Sequence, residues 1–115
     1  MELLKKMQSI FSPSGEEELM QEFLIKYVIN NQKNWKKKPK LIFGEEFQNC
    51  LILVFGKPTC AIFSHIDSIG FTVGYENELI KLGGPVIKSG IKLFGEDSHG
   101  EIKTKTHSSR STERN

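Results

Sequence analysis

A histidine and an aspartate two residues apart end an apolar run near the middle of the sequence. His65 and Asp67 follow the strand-like letters CAIFS, and Gly70 comes shortly after them. Because residues two apart in an extended segment point to the same side, the two side chains are expected to project together. A neutral imidazole is the commonest protein metal ligand, and a nearby carboxylate can orient it. The pair therefore indicates one metal ligand with a supporting carboxylate, although a histidine beside a turn capped by the aspartate has the same spacing.

The composition is that of a globular chain without a strong charge bias. The sequence has 115 residues, of which 37% are hydrophobic and 26% charged, and its formal net charge is +2. This charge is too small to indicate binding to nucleic acid or to anionic membranes. No apolar run approaches the roughly 20 residues of a membrane helix, and the first residues lack the apolar core of a secretory signal. We therefore expect a cytoplasmic chain that binds neither nucleic acid nor membranes, with Cys50 and Cys60 as reduced thiols.

Two amphipathic helices are predicted in the N-terminal part. The apolar residues of the first share one helical face: Leu3, Leu4, Met7, Ile10 and Phe11. The second is expected to bury a stripe formed by Leu19, Met20, Phe23, Leu24, Tyr27 and Val28. Between the helices, Pro13 disfavours helical backbone before it, and Ser14 with Glu17 three residues later forms a capping-box pattern. The second helix is therefore predicted to begin just after Ser14, with Ser14 as its N-cap.

A lysine-rich segment with one tryptophan follows the second helix. The letters KNWKKKPK run from Lys33 to Lys40. Lysines around an aromatic ring could bind a phosphate and stack a base. The plainer interpretation is a solvated loop between a helix and a strand, with Trp35 folded onto the core. We favour the loop, because no nucleic-acid-binding motif accompanies the segment.

The rest of the chain is predicted to be rich in strands. Three apolar runs, Leu41–Phe43, Cys50–Phe55 and Cys60–Ser64, have no alternation, which is typical of strands covered on both faces. Two helices followed by such strands indicate an α/β sheet. The segments after Phe71 alternate more and contain many glycines, as in a small barrel or hairpin module. Within them, the letters GEDSHG, which include Asp97 and His99, are predicted to form a hairpin turn instead of a metal site.

Several motifs in this order resemble a known family. They are SPSGEEE near the N-terminus, FGKPTCAIFSHIDSIGFTV in the middle and LIKLGGP after it. Together they resemble the N-terminal part of the glutamyl/leucyl aminopeptidase family of dinuclear metallopeptidases, the tetrahedral-aminopeptidase group, over roughly residues 1–102. The similarity is closest to variants that carry HIDSIGFTV where other members have a glutamate after the aspartate.

The resemblance implies a division of the chain. Residues 1–70 would be the N-terminal part of a mixed-sheet α/β catalytic domain, with two helices and then strands. Residues 71–102 would begin an inserted β-barrel domain, in which GGP corresponds to Gly83–Pro85. After Ile102 there is no hydrophobic residue, so residues 103–115 are predicted to be a disordered tail.

The resemblance also implies roles for individual residues. His65 matches the first metal-binding histidine of the family. Asp67 matches a catalytic carboxylate, which helps to position the catalytic centre and is not usually a direct ligand. Ser68 stands where many members have a glutamate, so the contribution of that side chain is open. Ser14 and Gly15 match a motif at a helix start that looks structural.

The activity implied by the resemblance is hydrolysis of N-terminal residues from peptides by a homo-oligomeric enzyme with two divalent metal ions, zinc or cobalt. The family's other acidic ligands, its catalytic glutamate and its second histidine come from segments downstream of those matched here. We therefore expect a fragment of a metallo-aminopeptidase that is inactive by itself and does not retain the ions. The alternative, from a different class, is a non-catalytic interaction module that binds a full-length relative.

Overall fold

The computed structural model describes residues 1–107 and has a mixed α and β architecture. The helices are α1 (Glu2–Gln8) and α2 (Glu18–Asn31). The strands among these residues are β1 (Lys40–Ile42), β2 (Ile52–Val54), β3 (Gly70–Val73), β4 (Leu79–Leu82), β5 (Lys92–Asp97) and β6 (Gly100–Lys105). The contacts divide the chain into one unit that spans Met1–Gly83 and a second that begins at Gly84. The domain boundary near residue 70 that the resemblance implies concerns the intact fold and stays a prediction.

Helix α2 carries the buried apolar side chains of the first unit other than prolines. Met20 is 6% exposed and Val28 is 4% exposed, and apart from prolines they are the only buried apolar residues between 1 and 107. Phe23, Leu24 and Tyr27 are half-buried, as an amphipathic face predicts. Leu19 is 54% exposed, so its place in the predicted buried stripe is wrong. Helix α1 buries none of its residues. Neither helix has both the length and the apolar character of a membrane span within the described range.

The start of α2 differs from the predicted capping box. The helix begins at Glu18, after an N-cap at Glu17 whose side chain does not cap it. The Glu17 carboxylate instead accepts a hydrogen bond from the Gly15 N–H at 2.7 Å and another from the Asn49 side-chain amide at 3.0 Å. Ser14 turns its hydroxyl away from the helix, to a carboxylate distant in sequence. Both residues of the predicted capping box thus have other hydrogen-bond partners, and these contacts form in place of the predicted helix cap.

The strands of residues 1–107 form three separate antiparallel hairpins. Strand β1 pairs with β2, β3 with β4, and β5 with β6. The predicted strand at Cys60–Ser64 does not form, because this segment has no ladder partner among the described residues. Its side chains Ile62 and Phe63 are 94% and 91% exposed. The expected covering of both faces of the apolar strands is therefore absent from the structure of residues 1–107.

The second unit consists of the β5–β6 hairpin and the turn that precedes it. The ladder runs from Asp97 opposite Gly100 to Lys92 opposite Lys105. Strand β6 thus extends into the tail that was predicted to be disordered, and that prediction is corrected for residues 103–105. Ladder hydrogen bonds join backbone groups, so the strand can continue through Lys103–Lys105, which have no apolar side chain. Thr106 is buried after the strand, and its hydroxyl accepts from the Ile91 N–H at 3.0 Å. The rest of the predicted tail, residues 108–115, lies outside the described residues.

Candidate functional site

Two of the three motifs that carry the resemblance, SPSGEEE and the one that contains HIDSIG, lie next to each other in the first unit. Pro13 and Ser68 form an isolated parallel bridge, and the Ser68 N–H donates to the Ser12 carbonyl at 2.7 Å. Ser12 is fully buried at this contact. Gly70 follows closely, because a side chain built on it would place its Cβ 3.3 Å from the Cβ of Pro13. The SPSG segment is therefore held along the segment that carries His65 and Asp67.

This close approach gives a prediction for Gly70. Changing Gly70 to Ala should push Pro13 away and weaken the bridge, since an extra methyl group in a tight contact typically costs about 1–3 kcal/mol. We expect the Ser68 amide proton, which bonds to Ser12, to exchange at least about fivefold faster in the variant. Gly95→Ala is the matched control, because a Cβ at that strand position meets nothing within 4 Å. Unchanged protection of Ser68 in Gly70→Ala would show that the two segments are not tightly packed.

Three polar side chains meet across this contact, and we call Ser14, Asp67 and His65 the polar triplet. The Ser14 hydroxyl donates to Oδ2 of Asp67 at 2.5 Å. The other carboxylate oxygen, Oδ1, lies 3.1 Å from Nδ1 of His65. Nδ1 is also 3.1 Å from the backbone carbonyl oxygen of Asp67. The structure thus brings together the two predicted site residues and adds Ser14, which the resemblance had marked only as structural.

The hydrogen bonds determine where the proton sits on His65. The Ser14 hydroxyl, and to a lesser extent His65, hold the pKa of Asp67 below its ordinary value of 3.8, so this carboxylate is ionised at neutral pH. An ionised carboxylate and a carbonyl oxygen only accept hydrogen bonds. Nδ1 must therefore donate, which leaves the lone pair of a neutral His65 ring on Nε2. The His65 side chain is 85% exposed, and Nε2 has no hydrogen-bond partner within residues 1–107.

The polar triplet is not a nucleophilic serine site. In such sites the serine hydroxyl donates to the imidazole, which takes its proton as the serine attacks. Here Ser14 donates to Asp67 instead, and His65 lies on the far side of that carboxylate. A carboxylate with a lowered pKa is a weak base for a serine proton. The arrangement is that of an imidazole oriented by a carboxylate, with its outer nitrogen open to a ligand.

The described residues fit one part of a divalent metal site. Nε2 of His65 has the free lone pair, and Asp67 supplies the second hydrogen bond that metal-binding histidines usually make. A catalytic zinc ion typically takes three protein ligands. Among residues 1–107, however, no group of three or more His, Cys, Asp or Glu side chains is placed to hold a metal ion. The residues present therefore fit a single ligand with its supporting carboxylate.

A second carboxylate, that of Glu17, lies at the edge of the site, and its hydrogen bonds are structural. Hydrogen bonds from the Gly15 N–H and from Asn49 lower the pKa of Glu17 from its ordinary value of 4.5. The neighbouring Gln21 amide donates to the Cys50 carbonyl at 2.9 Å. These contacts attach the segment before β2 to the start of α2, and they support the turn on which Ser14 stands.

The lowered pKa values of Asp67 and Glu17 predict an acid-dependent loss of stability. A carboxylate whose folded pKa lies below its unfolded value stabilises the fold above that unfolded value, and the contribution is lost as the pH falls through the folded pKa. The loss is therefore expected below pH 4.5 for Glu17 and below pH 3.8 for Asp67. Ser14→Ala removes the main cause of the Asp67 shift. Urea unfolding should show wild type more stable than Ser14→Ala at about pH 6, with a difference that narrows below pH 3.8. A constant difference would contradict the assignment.

The other sequence candidates have structural explanations. The His99 N–H donates to Oδ1 of Asp97 at 2.7 Å within the turn that joins β5 to β6. This confirms the predicted hairpin turn. Cys50 and Cys60 are both free and exposed.

The lysine-rich segment forms the connection between α2 and β1, as the loop interpretation predicts. The Trp35 ring does not fold onto a buried core but packs against Phe55, with ring centroids 6.3 Å apart and an angle of 37° between the planes. Phe55 is itself exposed, and the two rings line an open groove with Lys36 and Lys37. The absence of nucleic-acid binding, which the loop interpretation implies, stays a prediction.

Comparison with known proteins gives no independent assignment. No protein-family model matches the sequence, and no curated protein matches it at a significant level. The case for a function therefore rests on the motifs, on the contact between SPSG and HIDSIG, and on the geometry of the polar triplet.

Proposed function

We propose that this chain is the N-terminal part of a cytoplasmic metallo-aminopeptidase of the glutamyl/leucyl type, inactive by itself. The observation that carries the proposal is the polar triplet. Two motifs far apart in sequence lie side by side, and they leave Nε2 of His65 open while Asp67 holds Nδ1. This is the arrangement expected of the first metal-binding histidine and its supporting carboxylate.

The finer fold belongs to the same proposal. Residues 1–70 would be part of a mixed-sheet catalytic domain, and residues 71–102 would begin an inserted β-barrel. The exposure of Ile62 and Phe63, at 94% and 91%, supports this, because a fully exposed apolar pair is unusual in a finished domain. Neighbouring strands and helices of a complete catalytic domain would cover such residues.

In the intact enzyme, the residues of this chain would bind and orient. His65 would contribute Nε2 to one of two divalent ions, zinc or cobalt, and Asp67 would keep the ring in the required tautomer. The ions, when bound, would polarise the scissile carbonyl and lower the pKa of the attacking water. The substrate would be the free N-terminus of a peptide, and the intact enzyme is expected to be a homo-oligomer. Among the described residues only His65 is proposed as a metal ligand, so we do not expect the isolated chain to retain either ion.

An activity assay tests the proposal that the chain is inactive alone. Leucyl- and glutamyl-p-nitroanilide are incubated with the purified chain and added Co²⁺ or Zn²⁺. We expect no turnover, because the described residues supply one ligand and hold no metal-binding group of three or more side chains. Turnover at an ordinary enzymatic rate, about 1 per second or faster, would contradict the proposal.

The family assignment has a separate test. The reading frame beyond Asn115 is sequenced, and both in-frame and shifted continuations are translated. An aminopeptidase origin predicts a continuation with a bridging aspartate, a pair of adjacent glutamates, a further acidic ligand and a second histidine. Downstream sequence without these residues in any frame would count against the assignment.

The second candidate is a non-catalytic interaction module that binds a full-length relative. It is favoured by the unpaired apolar segment at Ile62 and Phe63, because unpaired backbone beside exposed apolar side chains can add to the edge of another sheet. This candidate predicts a monodisperse chain that folds without metal and forms a stable complex with the relative. Size-exclusion chromatography of the mixture distinguishes the two proposals.

A further inference from the structure

We infer that Ser14 is a positioning residue for His65: its hydroxyl holds the Asp67 carboxylate so that His65 donates through Nδ1 and presents a bare Nε2. The inference concerns the same site as the proposed function and depends on it only for what binds to Nε2. The orientation of the ring is a property of residues 1–107 and can be measured without a metal.

The geometry assigns one partner to each oxygen of the Asp67 carboxylate. Oδ2 accepts from the Ser14 hydroxyl at 2.5 Å, and Oδ1 lies 3.1 Å from Nδ1 of His65. The terminal torsion of an aspartate has a broad energy minimum, so by itself the carboxylate would turn easily. Fixing Oδ2 by a charge-assisted hydrogen bond restricts that rotation and keeps Oδ1 facing the imidazole.

Ser14 is suited to this role because its own backbone is held on both sides. Before it, Pro13 is buried and bridges to Ser68. After it, Gly15 has a φ of +94°, a left-handed conformation that favours glycine, and its N–H is bound by Glu17 at 2.7 Å. The hydroxyl therefore projects from a defined turn and does not depend on a mobile loop.

The tautomer of His65 is the quantity that this arrangement changes. Which ring nitrogen of a neutral imidazole carries the proton is set by the hydrogen bonds that each nitrogen makes. Without Ser14, the Asp67 carboxylate is free to turn towards water, and Nδ1 keeps only the backbone carbonyl as a fixed acceptor. The population with a bare Nε2 should then fall.

The test measures the imidazole nitrogen chemical shifts of the ¹⁵N-labelled 115-residue chain at about pH 9, where imidazoles are neutral. In wild type we expect His65 to be mainly the Nδ1–H tautomer. Ser14→Ala should shift the ratio towards Nε2–H by about fivefold, the effect of losing one hydrogen bond. Ser14→Thr keeps a hydroxyl and should restore the wild-type ratio. Ser68→Ala removes a hydroxyl next to Asp67 in sequence that makes no hydrogen bond to it, so the tautomer ratio of His65 should not change. The ring of His99 serves as an internal reference.

An unchanged His65 ratio in a folded Ser14→Ala chain, with the Ser68 amide still protected, would overturn the inference. If Ser14→Ala does not fold, Ser14→Thr decides, and a folded Ser14→Thr chain that has lost the Nδ1–H preference overturns it equally. ZnCl₂, added in large excess because a single imidazole ligand binds zinc weakly, separates this inference from the proposed function. A His65 Nε2 signal that does not respond to zinc would count against the metal proposal, while the tautomer result in metal-free samples would stand.

Discussion

Met20→Ala is expected to unfold much of the first unit. Met20 is 6% exposed and, apart from prolines, is one of only two buried apolar side chains among residues 1–107. Removing a buried methionine side chain typically costs about 2–5 kcal/mol, through lost burial and the cavity that remains. A small domain is stabilised by about 5–15 kcal/mol in total, and a chain with so few buried residues should lie at or below the lower limit. Urea or thermal unfolding followed by circular dichroism measures the loss.

Leu19 provides the matched control for this experiment. It precedes Met20 on the same helix and was predicted from the sequence to share its buried stripe, but it is 54% exposed. Leu19→Ala should therefore change the free energy of unfolding by no more than about 0.5 kcal/mol. Equal losses in the two variants would mean that α2 buries a wider face than the structure shows.

The wild-type chain is expected to self-associate, and the double change Ile62→Lys, Phe63→Lys should largely abolish this. The two side chains are 94% and 91% exposed in a segment without a ladder partner among the described residues. Burying each in an association interface would contribute about 1.5–3 kcal/mol, and lysines are effective at preventing strand association. We expect the dissociation constant for self-association to rise at least about 100-fold, which corresponds to about 2.7 kcal/mol. Analytical ultracentrifugation over a concentration series measures it.

Val73→Lys is the control for charge alone. Val73 is 62% exposed but lies in β3, where its backbone is paired with β4. One added lysine there should change the dissociation constant much less. Because Ile62 and Phe63 are almost fully exposed, the double variant should keep the wild-type unfolding midpoint at concentrations where both chains are monomeric. A wild-type chain that stays monomeric at high concentration would contradict the prediction. It would also count against the proposal that other parts of a complete catalytic domain cover Ile62 and Phe63.

The local features of the fold were predictable from the sequence because they depend on contacts close along the chain. The 3.6-residue periodicity of apolar residues predicted helix α2, although the structure shortens its start and exposes Leu19. The turn at Asp97 and His99 followed from the tendency of aspartate to bind a backbone N–H two residues on. The strand at Lys40–Ile42 followed from a short apolar run.

The pairing of strands depended on the tertiary structure. An apolar run identifies a possible strand but does not choose its partner, since ladder hydrogen bonds join backbone groups that are the same in every residue except proline. In the described structure, strand β2 pairs with β1, whereas the apolar Cys60–Ser64 segment remains unpaired. The apolar runs by themselves did not distinguish these two outcomes. For the same reason β6 continues to Lys105 through residues with no apolar side chain.

At the candidate site, the sequence by itself determined that His65 and Asp67 lie together, because the two-residue spacing brings their side chains within 3.1 Å. It could not determine the partner of Ser14, whose local pattern predicted a helix cap. The hydroxyl instead donates to a carboxylate 53 positions away. The tertiary fold places SPSG beside HIDSIG, and an ionised carboxylate is a strong hydrogen-bond acceptor. The tautomer of His65, and with it the nitrogen open to a ligand, follows from that long-range contact and not from the spacing.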